Sequence, residues 1–254
     1  MDNPIRLHWL DPRDPHQPFP PAHRAMRDPN GLLAIGGDLS VPRLIRAYSN
    51  GIFPWFNPNE PILWWCPDPR AVLTPAEFHV SHSLGKRIRK GDFAVTIDHA
   101  FTQVLDGCSD PDQGRNDTWL GTDMKRAYCE LHELGFAHSV EVWQKGALIG
   151  GLYGVSLGGA FFGESMFSRA SDASKLALTF LCRQLAAWRF SIVDCQIASS
   201  HLGRLGAVEI SRDRFLTELR RVIGCGGRTG IWRFEISVPA AKMHLPVSLL
   251  NLPS

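Results

Sequence analysis

The chain has 254 residues, 44% hydrophobic and 20% charged, with a formal net charge of +2. These values describe a soluble globular protein of one large domain, or a large and a small one, and they leave any basic surface to be a local feature. No run approaches the ~18 apolar residues of a membrane span, and the polar, proline-rich Met1–Pro21 does not read as a signal peptide.

Residues 1–28, rich in Pro, Asp and His, read as an irregular lead-in with room for one short strand. Leu32–Ile35 is an apolar run that enters the Gly36-Gly37 turn. Ser40 is placed to cap a helix whose Leu44, Ile45, Ala47 and Tyr48 form a stripe ended by Asn50-Gly51. Gly36-Gly37 is no phosphate loop, because neither a Walker lysine nor a dinucleotide fingerprint follows. Trp55, Trp64 and Trp65 lie among prolines and suggest a rigid aromatic surface more than a regular element. Such clusters usually serve as core or interface, with a stacking platform as the competing reading. A domain boundary is expected near Pro67–Pro75, dividing a small domain (1–70) from a larger one (71–254).

Beyond that boundary, Lys86, Arg87, Arg89 and Lys90 crowd one short helical stretch with no acid between them. A solvated helix face is the usual meaning of such a run, and a phosphate-contacting patch is its competitor. Phe93–Ile97 is a strand, Ala100–Cys108 a short helix and Ser109–Asn116 a polar loop with the lone Trp119 at its exit. Asp123–Leu134 carries Met124, Ala127, Tyr128, Leu131 and Leu134 in helical register and stops at Gly135. Ser139–Trp143 and Ala147–Val155, joined at Lys145-Gly146, form a hairpin. The glycines of Gly150–Gly159 mark bulges or close backbone approaches. Asp172–Trp188 is helical, with Ser171 or Asp172 as its cap. Phe190–Ile197 is a buried strand, Arg212–Ile223 an amphipathic helix, and Trp232–Ile236 one further strand. Helix, meander, helix and strand make an α/β architecture with a mixed sheet.

The chemistry concentrates between residues 150 and 196. Strand side chains alternate, so Asp194 and Gln196 should emerge together with Cys195 turned away. Glu164 is a third polar group inside the apolar run Phe161–Phe167, and buried acids are rare unless paired or working. A satisfied structural pair remains the competing account of Asp194 and Gln196. The six cysteines lack paired spacing and read as the reduced thiols of a cytosolic protein, and the ten histidines lack ligand spacing, so no metal is expected.

Gly31–Leu39, Gly51-Ile52-Phe53-Pro54-Trp55-Phe56, Trp64-Trp65-Cys66-Pro67-Asp68-Pro69-Arg70, Gly163-Glu164-Ser165-Met166-Phe167-Ser168 and Asp194-Cys195-Gln196, in this order, resemble the bacterial leucyl/phenylalanyl-tRNA–protein transferases. The resemblance runs from about Pro29 to about Leu219. It implies a GNAT-like acyltransferase domain with a smaller N-terminal domain, no cofactor, and a cytoplasmic monomer. It further implies transfer of Leu or Phe, and less well Met, from Leu-tRNA or Phe-tRNA to proteins beginning with Arg or Lys, marking them for degradation. Asp194, Gln196 and Glu164 would then be catalytic. Gln196 would hold the attacking amine, Asp194 would orient the Gln196 amide, and Glu164 would bind the acceptor's cationic group. Leu152, Phe161, Met166, Leu178, Leu181 and Val193 would form the aminoacyl pocket. Trp55 and Trp119 would stack on the terminal adenosine, and Lys86, Arg87, Arg89 and Lys90 would meet tRNA phosphates. Without the resemblance, a CoA-dependent N-acyltransferase or a non-enzymatic RNA-binding adaptor would be the rival readings. A hydrolase is weaker, since no Gly-x-Ser-x-Gly elbow occurs.

Overall fold

The computed structural model describes residues 7–110 and 120–239. Its first part holds strands β1 (His8–Leu10) and β2 (Leu32–Gly36), helix α1 (Val41–Ser49), and strands β3 (Phe53–Pro54) and β4 (Leu63–Trp65). These strands form a small sheet in the order β1-β2-β4-β3, with β1 and β2 parallel and the others antiparallel. Ser40 does precede α1, but its hydroxyl makes no capping bond. Asp38 acts instead: its carboxylate accepts from the Ser40 backbone N–H at 2.8 Å and pairs with the buried Arg43 at 3.1 Å. The three tryptophans do not share a platform. Trp64 is wholly buried and donates its indole N–H to the Gly36 carbonyl at 2.8 Å, while Trp55 is 44% exposed. The expectation of an irregular aromatic surface is thus corrected, because strand alternation in β4 turns Trp64 inward and Trp65 the other way.

The chain then passes through β5 (Arg70–Leu73), α2 (His82–Lys90), β6 (Ala94–Ile97), α3 (Phe101–Cys108), α4 (Thr122–Glu133), β7 (Ala137–Gln144), β8 (Ala147–Leu157) and β9 (Ala160–Ser168). It ends in α5 (Ala173–Ala187), β10 (Ile192–Gln196), α6 (Ser200–Arg204), β11 (Val208–Ile210) and α7 (Arg212–Ile223). Among the described residues the strands form a second sheet ordered β11-β5-β10-β9-β8-β7-β6. Its one parallel pair is β9 with β10, joined by α5, so the sheet is mixed and the α/β class holds. Successive side chains enter opposite cores. Leu152, Phe161 and Val193 pack on the side of α5, whereas Tyr153, Phe162 and Ile192 join a core shared with α1, α4, α7 and the small sheet. That shared core ties the two sheets into one apolar mass.

Three further expectations change. Asp172 occupies the position before α5 at φ 62 without capping it, and its carboxylate pairs with Lys175 at 2.7 Å. Residues 232–236 form no strand; Trp232 is buried and stacks on His138, ring centroids 3.6 Å apart. β5, α6 and β11 are absent from the sequence reading, being short and without clear periodicity. Most of the Ser109–Asn116 loop, and Trp119, lie outside the described residues.

Candidate active site

The site forms where β9 and β10 run side by side. Val193 pairs with Phe161 and Asp194 with Phe162, so Glu164 lies two residues past the last paired position, beside the end of β10. The β8–β9 register slips between Tyr153, which faces Ser165, and Gly154, which faces Gly163, so Glu164 is the extra residue of a bulge on β9. Gly154 is required there, since a Cβ would fall 2.2 Å from the Phe162 carbonyl and 2.6 Å from the Phe161 ring.

Beside this bulge lies an apolar cavity of about 140 Å³, and Leu152, Phe161, Met166, Leu178, Leu181 and Val193 all line it. Glu164, Cys195 and Gln196 stand at its rim and also line a second cleft of about 160 Å³, completed by Phe53, Pro54, Trp55 and Ile197. The small sheet thus supplies one wall of the second cleft and the large sheet the other. Lys86, Arg87, Arg89 and Lys90 line neither space. They lie on α2, capped by the Ser81 hydroxyl, where Arg87 and Lys90 pair with Asp92 at 3.3 and 3.0 Å.

Asp194 and Gln196 do not emerge together. Asp194 is fully buried, and both its oxygens take a bidentate pair from Arg70 at 2.7 and 2.6 Å. The Arg70 guanidinium sits between the rings of Phe53 and Phe215, 4.9 and 4.6 Å from their centroids. Burial disfavours its charge, and Asp194 more than offsets that, so its pKa is raised. The register slips between Asp194 and Gln196, and Gln196 takes φ 57, in the left-handed region. Asp194 Oδ1 accepts from the Gln196 backbone N–H at 3.0 Å and so holds that conformation. The expected alternation is corrected: the slip brings Cys195 and Gln196 to the cavities and leaves Asp194 inside. Asp194 therefore orients the Gln196 backbone and not its amide, whose Nε2 has no hydrogen-bond partner among the described residues.

Glu164 receives Tyr48 Oη on Oε1 at 2.8 Å and Tyr128 Oη on Oε2 at 2.6 Å. Burial pushes its pKa up to about 7, against the pull of those two hydroxyls. Burial, reinforced by the Asp194 charge, pushes the Cys195 thiol up to about 12, which removes it as a nucleophile despite its position. Arg70, Tyr48, Tyr128, Cys195 and Ile197 are site residues that sequence reasoning missed. A phenol on the stripe of α1 and another on that of α4 were the available signal, because a buried tyrosine seeks a partner for its hydroxyl.

Residues 72–220 match the family described as Leucyl/phenylalanyl-tRNA protein transferase, and residues 37–68 match that family's N-terminal domain. The leucyl/phenylalanyl-tRNA–protein transferase of Alkalilimnicola ehrlichii is 52% identical over 240 residues, 94% of this chain and 93% of that protein. The one from Cellvibrio japonicus is 58% identical over 207 residues, covering 82% and 87%. Among solved structures, a GCN5-related N-acetyltransferase from Kribbella flavida aligns at a TM-score of 0.36 with 10% identity, covering 63% of this chain and 57% of that one. That likeness is too low to carry an argument. Two family matches in sequence order and relatives above half identity over nearly the whole chain establish that it belongs to the leucyl/phenylalanyl-tRNA–protein transferases, a family of aminoacyltransferases.

Proposed function

We propose that this chain transfers Leu or Phe, and less well Met, from aminoacyl-tRNA to the α-amino group of proteins beginning with Arg or Lys, marking them for degradation. One observation carries the reading: an apolar cavity and a second cleft beneath an exposed tryptophan meet at Glu164 and Gln196. The cavity suits an unbranched apolar side chain, and Met166 on its wall lets it adapt to Leu, Phe or Met. Such a pocket discriminates by only ~1–3 kcal/mol per methylene, so tolerance of Met is expected. Trp55 offers a face for the terminal adenine, with Trp119 as its partner. Lys86, Arg87, Arg89 and Lys90 meet acceptor-stem phosphates without reading sequence. A carboxylate at the junction draws the cationic acceptor, and a neutral first residue would forgo that attraction.

The reaction is aminolysis of an ester, in which the amine must be neutral and aimed at the carbonyl carbon. The Gln196 carbonyl accepts an N–H of the amine and points the lone pair, while Asp194, locked by Arg70, fixes Gln196 through its backbone. The test is transfer of labelled leucine from Leu-tRNA to a peptide beginning with Arg, with a peptide beginning with Ala as control. Transfer to the first, falling by about 10²-fold in folded Gln196→Ala, is the expected result. A folded wild type that transfers to neither peptide overturns the proposal.

A further inference from the structure

Glu164, Tyr48 and Tyr128 close a ring whose proton count is informative. Besides the two phenol contacts to the carboxylate, the hydroxyls of Tyr48 and Tyr128 lie 2.8 Å apart, and both tyrosines are fully buried. Three oxygen–oxygen contacts of hydrogen-bond length require three protons, and two phenols own two. With Glu164 ionised, both phenol protons point at the carboxylate, and the Tyr48–Tyr128 contact holds two oxygens with no proton between them. A third proton lets the ring run in one sense, from Glu164 to Tyr48, from Tyr48 to Tyr128, and from Tyr128 back to Glu164. The geometry is therefore complementary to the acid form of Glu164, and in its ionised form the ring is one proton short.

The rest of the surroundings agree. Asp194 on β10 and Arg70 on β5 act on Glu164 with opposite signs, and Tyr153 on β8 meets Tyr128 edge to face at 5.2 Å. Burial places the Glu164 pKa at about 7, within reach of an α-ammonium, whose ordinary value is ~8. Both oxygens of Asp194 are already engaged by Arg70.

Resting on the transfer reaction proposed above, we propose that the Glu164–Tyr48–Tyr128 ring accepts the proton that the incoming α-ammonium sheds. One N–H bond of the ammonium breaks, its electron pair stays on nitrogen, and the proton bonds to a Glu164 oxygen. The neutral amine then attacks the ester carbon and the bond from that carbon to the ribose oxygen breaks. A second N–H proton passes to the departing oxygen, leaving an amide and a free ribose hydroxyl. Glu164 returns its proton to solvent through the cavities. Glu164 is the catalytic residue of this step, and Tyr48 and Tyr128 are positioning residues.

The experiment compares two acceptor peptides beginning with Arg, one with its natural α-amine and one with an aminooxy group in that place, which is already neutral at pH 7. The expected result in Glu164→Gln is about a 10²-fold loss with the amine and at least a tenfold fall in the amine-to-aminooxy rate ratio. In Tyr48→Phe and Tyr128→Phe, opening the ring shifts the acidic limb of the amine's pH profile. Equal losses with both acceptors, or undiminished transfer to the amine, overturn the proposal. If Glu164→Gln does not fold, the two phenylalanine variants decide, and an unmoved limb in both overturns it. A folded wild type inactive with both peptides overturns the transfer reading itself, and the ring's role falls with it.

Discussion

Arg70 shows how much one side chain organises. It neutralises Asp194, separates Phe53 from Phe215 and, through Asp194, holds Gln196 in a left-handed conformation. Removing one partner of a buried pair leaves the other uncompensated, so Arg70→Met should cost ~3–5 kcal/mol in urea unfolding. The double variant Arg70→Met/Asp194→Leu should recover much of that stability, since apolar replacement of a buried pair is often neutral. It should not recover leucine transfer, because the Gln196 N–H then lacks its acceptor. Recovery of both would show the pair to be purely structural. Cys195 yields a second expectation at this scale. With its thiol near 12, iodoacetamide at pH 8 should label the exposed Cys225 well before Cys195, as mass spectrometry of timed digests would show.

Among the elements, α2 and the β8–β9 hairpin behave differently from each other. On α2, Asp92 engages Arg87 and Lys90, while Lys86 and Arg89 are exposed, with no acidic partner within 4.0 Å among the described residues. If the helix meets phosphates, Lys86→Glu/Arg89→Glu should weaken tRNA binding and flatten the slope of log affinity against log salt by about 2. An unchanged slope would return the helix to a solvated face. On the hairpin, Gly154→Ala places a methyl against a carbonyl in a bulged strand, with no flexible side chain able to yield. A fall in Tm of several degrees is expected, together with a distorted wall at Phe161 and slower transfer. The first was read correctly as a helix, but its salt links depend on Asp92, and the bulge of the second depends on β9, neither of which any local pattern names.

Across the whole molecule, the core that α1, α4, α7 and the small sheet share with the large sheet predicts joint unfolding. Far-UV circular dichroism and tryptophan fluorescence should report coincident urea transitions; two separated transitions would show that the sheets fold independently. Glu164 couples that stability to pH. Its folded-state pKa of about 7 exceeds the ordinary 4.5, so its contribution is fully present below pH 4.5 and is lost as pH rises to about 7. In Glu164→Gln, the stability difference between pH 5 and pH 8 should shrink by ~1–3 kcal/mol. By itself the sequence determined the longer helices and strands, through local periodicity, and the family, through motifs read in order. Tertiary structure alone decided that Trp64 is core and Asp194 is enclosed, and that Tyr48 and Tyr128 serve Glu164. Those facts depend on partners 28 to 124 residues apart in the chain, on a strand slip, and on which face of a sheet another element covers.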